Sequence, residues 1–341
     1  MQKSTRRHRG GSRVTLHDVA TELSISLATA SRALRDDPQI SVLTRERVKL
    51  AARQMGYHPD QIASALAAKR TYSIGIMLSN VANPFFAEMA QHAYLGIQKR
   101  GYRPIVSVTD FITPENELER AQGFFQLKVD GVIAWLEHPE TTQWMREHHL
   151  PHIVIGRPID DEADCIFFDR AWGAFQLVLA LGKQGHRRIA FLGPRETFAG
   201  AKSQGYEAGM QELGLKAQIL PIPGYGQREQ GRQAAEEVLS LEPRPSAVMA
   251  YNDLLAIGLI RGLSERGIRV PEEMAVSGFD GIEETAYHTP SVTTVEEPSK
   301  VMIDSALRQL VERIENPDSP LRKTVLRPRL VLRESTGCTR S

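Results

Sequence analysis

Residues 14–34, VTLHDVATELSISLATASRAL, constrain the fold more than any other stretch of the chain. Thr15 can cap a first helix whose apolar positions are Leu16, Val19, Ala20 and Leu23. The pattern breaks at Ser24 and restarts at Ile25. Ser26 can then cap a second helix over 27–34, with Ala30, Ala33 and Leu34 facing inward. Neither helix is long enough to bury itself. A third follows, from a cap at Ser41 to a stop at Gly56, with Val42, Val48, Ala51, Ala52 and Met55 on one side. Three such helices make a helix-turn-helix head that leaves the small, polar face of the second helix free to enter a DNA groove.

Tyr57-His58-Pro59 forces an extended step, because the residue before a proline avoids the helical region. The alanine-rich stretch 60–69 spans only about two helical turns, too few to be stable alone in water. Such a segment folds only against a partner. From Thr71 onward, apolar strands (73–79, 104–109, 130–135, 152–156, 189–193, 217–220, 247–251, 274–279) alternate with helices (84–100, 115–128, 204–214, 230–241, 254–267). Strands this continuously apolar belong in parallel sheets covered on both faces, with ligands at their carboxyl ends. The expected fold is a small all-α helix-turn-helix head plus an α/β core of two doubly wound parallel-sheet lobes.

The formal net charge of +1 hides an asymmetry. Through residue 70 there are 13 Lys/Arg against 6 Asp/Glu, a net of +7, and the remainder carries 29 against 35, a net of −6. A basic head on a mildly acidic body is expected when one domain neutralises phosphates and the other does something else. Residues 1–13, MQKSTRRHRGGSR, read as a disordered basic arm adding salt-sensitive DNA affinity, although a mis-assigned start would look the same. No apolar run approaches the ~20 residues of a membrane span, and the amino terminus is charged rather than signal-like. Cys165 and Cys338 lie far apart and in no metal-ligand or redox spacing, so the expectation is a cytoplasmic protein without metal or cofactor. No GxSxG elbow, GxxxxGK[ST] loop or HExxH helix occurs, and no catalytic constellation is found.

The chain resembles the lactose-repressor (LacI/GalR) family of bacterial transcription regulators. The resemblance rests on VTLHDVA, ISLATASRAL, TRERV…GYHPD and ASALA, and continues through SIGIML…NPFFAEM, DGVI, GHRRIAFLG, YNDLLAIGL, RGIRVPEEMAVSGFD, TPSVTTVEEP and LVLRES. These run from Val14 to Ser335 in the family's order and spacing. It implies a periplasmic-binding-protein-like core whose chain crosses between lobes three times, here near Gly185, Thr294 and Arg327. The boundaries expected are an arm over 1–13, a DNA-binding head over 14–58, a hinge helix and linker over 59–71, and an effector-binding and dimerisation core over 72–341. Lobe 1 would take about 72–184 and 295–327, and lobe 2 about 185–294 and 328–338.

In the head, Arg32 can donate two hydrogen bonds to a guanine edge, whereas Leu27 and Ala28 offer apolar contact suited to a thymine methyl. Arg32 as a phosphate clamp and Ala28 as a mere helix former are the plainer readings. Thr15, Ser26, Thr29 and Ser31 could bond phosphates and fix register. Ser24 departs from the glycine or asparagine often found in this turn, which would strain it slightly. The resemblance implies that Leu66 wedges between base pairs from the minor groove, and its alanine neighbours suit a helix that folds when two copies meet on the duplex.

Asn252-Asp253 and Phe279-Asp280 follow strands, at the ends where ligands sit. By resemblance, Asn252 and Asp280 bond sugar hydroxyls or their equivalents, and Asp169 faces the cleft. A carboxylate accepting adjacent hydroxyls grasps a polyol, and Phe85 or Phe279 could stack on its apolar face, although core packing is the usual fate of each aromatic. Lys202 stands where relatives usually carry an arginine that forks onto the ligand, and a point charge there implies a different ligand geometry. Members of the family resembling gluconate-type regulators also carry lysine, so the resemblance makes a sugar acid a candidate. Gly226 stands where many relatives have an aromatic.

The reading is a homodimeric, sequence-specific repressor that binds a palindromic operator in double-stranded DNA and responds to a small-molecule effector, a sugar or sugar acid. The alternatives are a solute-binding receptor without a DNA role, or a regulator answering to a purine or a protein corepressor. Arg32→Ala should cost about 1–3 kcal/mol at one guanine position in a base-by-base operator titration, where a uniform loss would make it a phosphate contact. Leu66→Ala should lower specific DNA affinity far more than effector affinity, measured on the same preparation.

Overall fold

The computed structural model describes residues 14–34, 36–57, 70–109, 113–194, 200–224 and 226–337. The basic arm, Leu66 with the rest of the hinge stretch, and Cys338 lie outside the described residues. The chain divides into two compact units, Met1–Thr71 and Tyr72–Ser341.

The first unit holds α1 (Leu16–Glu22), α2 (Leu27–Leu34) and α3 (Val42–Gln54). Thr15 closes a capping box with Asp18 at the start of α1, and Ser41 caps α3 through the Thr44 amide. Val19, Ala33, Val48, Ala51 and Ala52 form its core. Val42, placed inward by the helical spacing, is instead 65 % exposed. It is the first residue of α3, and the packed stripe begins only at Val48, more than a turn later. Ser24, in the turn between α1 and α2, adopts φ 53, a left-handed conformation that costs a residue with a Cβ.

The second unit contains two parallel sheets. The first comprises β1 (Ser73–Ser79), β2 (Arg103–Thr109), β3 (Gly131–Trp135), β4 (His152–Ile155), β5 (Asp164–Phe168) and β11 (Lys323–Leu326), in the order β11-β5-β4-β3-β1-β2. The second comprises β6 (Ile189–Pro194), β7 (Gln218–Ile222), β8 (Ala247–Ala250) and β9 (Ala275–Ser277), in the order β7-β6-β8-β9. A short antiparallel pair, β10 (Thr294–Glu296) with β12 (Arg329–Val331), accompanies them. All ladders in the two main sheets are parallel.

Helices α4 (Pro84–Lys99), α5 (Pro114–Gln126), α6 (Pro139–Glu147) and α12 (Ser299–Glu315) belong to the first lobe; α7 (Arg170–Lys183), α8 (Ala201–Glu212), α9 (Arg228–Ser240), α10 (Asp253–Glu265) and the short α11 (Glu284–Tyr287) belong to the second. The strand-and-helix pattern had not delineated α6, β5, α7, α12 or the three last strands.

The first crossing between lobes falls earlier than expected. Helix α7 packs Ala174, Leu177, Val178 and Leu181 against Ile189 and Phe191 of the second sheet, so the chain changes lobe between Phe168 and Arg170 rather than near Gly185. Gly185 only ends that helix, with φ 94. The second crossing follows β10, at Glu297-Pro298, because Val295 still packs in the second core while Met302 and Ile303 of α12 pack in the first. The third joins β11 to β12 at Arg327-Pro328. Close approach of α8 to α7 depends on Gly205, where a Cβ would lie 2.0 Å from the Ala171 carbonyl oxygen.

Relieving the turn strain gives a direct check on the head. Ser24→Gly should stabilise it by about 0.5–1 kcal/mol, the relief of a left-handed serine offset by glycine's freedom in the unfolded chain. Urea unfolding of the full chain, followed by a probe in the head, would register it.

Candidate functional site

In the head, the exposed surface of α2 collects the residues expected to face DNA. Leu27 is 49 % exposed, Ala28 and Arg32 are exposed, and Thr29 and Ser31 are half-buried. Positions 27 and 31, and 28 and 32, are one turn apart and share a face. Ser26 Oγ accepts the Thr29 amide at 3.0 Å and lies 2.8 Å from Thr29 Oγ1, so both hydroxyls also hold the start of the helix. Thr15 is exposed but engaged with Asp18, its amide donating to Oδ2 at 2.8 Å. The Arg32 side chain, whose nearest carboxylate is Asp37 at 4.0 Å, remains on the surface.

In the core, a cavity of about 360 Å³ opens between the lobes at the carboxyl ends of the strands. Lys202, Asn252 and Asp280 line it from the second lobe, and Phe85 lines it from the first. Lys202 is buried; its Nζ donates to Asp280 Oδ1 and to the Tyr251 carbonyl, each at 2.9 Å. The ammonium also sits 4.4 Å from the Tyr251 ring centroid and 4.1 Å from that of Phe279. Asn252 caps α10, its Oδ1 accepting the Leu255 amide at 2.8 Å. Gly226 packs on that side chain, where a Cβ would lie 3.0 Å from Asn252 Nδ2.

Two of the expected effector residues are not brought to the cavity. Phe279 is fully buried in the second core, beneath the Lys202 ammonium, and so cannot stack on a ligand. Asp169 caps α7 by accepting the Trp172 amide at 2.9 Å and receives Arg327 Nη1 at 3.2 Å, which turns it toward the crossings. Residues that sequence reasoning passed over take their place on the lining: Trp135, Glu137, His138, Arg157 and Arg170. Trp135 ends β3, so the rule that ligands sit at carboxyl ends could have found it. Phe85 stands edge-on to Trp135, with ring centroids 6.0 Å apart.

Asp253 organises the floor from behind. It has no exposure, and its carboxylate accepts the amides of Gly281 at 2.7 Å and Ile282 at 2.9 Å and the Thr294 hydroxyl at 2.6 Å. These bonds fix the turn after Asp280, whose own φ of 113 is a strained conformation for a residue with a Cβ. Gly278 is required for the approach, since a Cβ there would lie 2.1 Å from Asp253 Oδ1. Burial, then the neighbouring Asp280 charge, pushes Asp253 up to about 8. Burial likewise raises Asp280, with Lys202 opposing.

A DNA-reading head followed by a two-lobed ligand cleft defines a class, the ligand-responsive DNA-binding regulators. Residues 15–60 match the family of bacterial regulatory proteins, lacI family, and residues 178–336 match the periplasmic binding protein-like domain. The HTH-type transcriptional repressor PurR of Escherichia coli O139:H28 (strain E24377A / ETEC) is 28 % identical over 335 residues, covering 95 % of this chain and 97 % of that protein. The lac repressor dimer bound to operator and the anti-inducer ONPF shares the fold, with a TM-score of 0.85 at 23 % identity over 95 % of this chain and 99 % of that one. The transcriptional regulator CelR in complex with cellobiose is 28 % identical, with a TM-score of 0.70, over 95 % of this chain and all (100 %) of that one. The head is a helix-turn-helix domain of the lacI family and the core a periplasmic-binding-protein-like domain, the make-up of a DNA-binding transcriptional regulator. The PurR and lac proteins that the chain resembles are repressors. Among the described residues, no helix is long and apolar enough to cross a membrane.

The Asp253 environment has a consequence for pH dependence. Its value in the folded state lies above the ordinary one near 3.8, so the folded protein keeps a proton that the unfolded chain releases. The resulting stability is complete below about pH 4 and is lost as pH rises through about 8. Asp253→Asn should flatten the fall of Tm between pH 5 and pH 8.5 relative to the wild type, read by thermal unfolding across that range.

Proposed function

We propose that this repressor acts in the cytoplasm as a homodimer, reading a palindromic operator with paired heads and responding to an uncharged carbohydrate in the cleft. The observation that carries the effector class is the charge balance of the cavity. Lys202 is paired with Asp280 at 2.9 Å, Arg170 with Glu297 at 2.6 Å and Arg157 with Glu137 at 2.7 Å. Each cation on the described lining therefore already has a carboxylate, and a carboxylate-bearing ligand would have to break a pair. This narrows the sugar-or-sugar-acid expectation to a neutral sugar. Asn252 and Asp280 supply donors and acceptors for hydroxyls, while Trp135 and Phe85 supply an apolar wall. A purine is the second reading, favoured by the similarity to repressors named PurR.

Support for the homodimer comes from the first lobe. Strand β2 is an edge of its sheet, and Val106 and Val108 on it are 45 % and 43 % exposed. Tyr94 and Leu95 of the adjacent α4 are exposed as well. An apolar edge of this kind is covered in a stable protein, and a second copy would set two heads on inverted half-sites.

Selection of the full-length protein on random duplex DNA, with excess nonspecific competitor, tests the head. A palindromic consensus is expected, and no enrichment would overturn operator reading. Titrating the selected operator with cellobiose, D-ribose, D-gluconate and guanine then tests the cleft. A neutral sugar should shift operator affinity by roughly 5- to 150-fold. Asp280→Ala should abolish that shift and leave operator binding intact. Gluconate as the responding ligand would overturn the charge argument, and guanine would establish the purine reading.

A further inference from the structure

We infer that Arg170 couples cavity occupancy to the angle between the lobes, an inference that rests on the effector reading above. Its guanidinium lines the cavity and also ties crossings together. Nε and Nη2 donate to the two oxygens of Glu297 at 2.6 and 2.8 Å. Nη1 donates to the Gly156 carbonyl, just past β4 in the first lobe, at 2.8 Å. Arg170 begins α7 at the first crossing, and Glu297 lies in the second. The preceding residue, Asp169, receives Arg327 from the third crossing at 3.2 Å.

Arg170 also faces the cavity. Its guanidinium carbon lies 5.0 Å from the ring centroid of Trp135, and both residues line the cavity with Asp280. The Glu297 amide donates to the Asp280 carbonyl at 3.1 Å, and the Asp280 amide donates to the Val295 carbonyl at 2.9 Å. Three of the five guanidinium N–H groups are committed to Glu297 and Gly156, which leaves two for a ligand. A ligand hydroxyl accepting from them, while lying on Trp135, pulls on the fork to Glu297. The fork holds two crossings in fixed register, so its movement is a change of hinge geometry. The Glu297 side chain is fully buried, and without Arg170 its charge would have no comparable partner.

The test compares full-length wild type with the double variant R170M/E297M, which removes fork and counter-charge together and leaves no buried orphan ion. Hydrogen exchange without ligand should quicken tenfold or more in three segments, 154–157, 168–171 and 295–299. Operator affinity is then measured with and without whichever of cellobiose, D-ribose, D-gluconate or guanine shifts the wild type. The double variant should bind that compound more weakly, by calorimetry, and at saturating concentrations of it change operator affinity less than twofold. R170K, which keeps the charge without the fork, should respond to an intermediate degree.

Faster exchange confined to 168–171, or a wild-type-sized operator response in the double variant, would overturn the coupling role. Should the double variant fail to fold, E297Q keeps the volume, and the same two measurements apply to it. A wild type that answers to none of the compounds counts against the effector reading, while the exchange pattern still decides whether Arg170 locks the crossings.

Discussion

The polypeptide passes three times through the floor of a cleft, and the polar groups gathered there have lost most of their water. Taking a charge out of solvent costs several kcal/mol unless a partner and further hydrogen bonds replace the hydration. The crossings therefore dictate the local chemistry. Glu297 takes a forked arginine, Asp280 takes Lys202, and Asp253, which has no cation beside it, takes two amides, a hydroxyl and a raised affinity for its own proton. Each solution also shapes the cavity, because the residues that satisfy the floor are the residues that line it.

This overlap separates the two units of the protein. In the head, the fold is held by Val19, Ala33, Val48, Ala51 and Ala52, whereas Leu27, Ala28 and Arg32 lie outside that core. The surface side chains of α2 can change without touching the packing beneath. In the core no such separation exists. Asn252 caps a helix, Lys202 neutralises a buried carboxylate, and Asp280 sits in a strained turn held by Asp253. Altering effector preference there requires compensating changes at more than one position.

Local signals made much of this legible. Caps at Thr15 and Ser41, the apolar spacing of α1 to α3 and the runs of β-branched residues fall where the helices and strands form. Asn252 and Asp280 follow strands, which is the local signal that points to them, and both line the cavity. Other features had no local signal. Arg170 and Glu297 are 127 positions apart in sequence, and nothing near either one announces the other. The segment of α7 lies in the second lobe rather than the first because its apolar face packs against the second sheet, a long-range contact that no local pattern in 170–183 displays. The partners of Lys202, Asp280 and the Tyr251 carbonyl, are likewise distant in sequence.

By itself, the sequence determined the two-part organisation, the helix-turn-helix head, the parallel α/β core and the kind of residue waiting at the ends of the strands. These depend on periodicity, capping and charge within short windows, which a single chain displays openly. Tertiary structure alone decided where the chain changes lobe, which aromatics face the cavity and which fill the core, and that Lys202, Arg157 and Arg170 in the cleft each meet a carboxylate. Those outcomes arise from burial, where distant segments meet and each desolvated charge must find its partner.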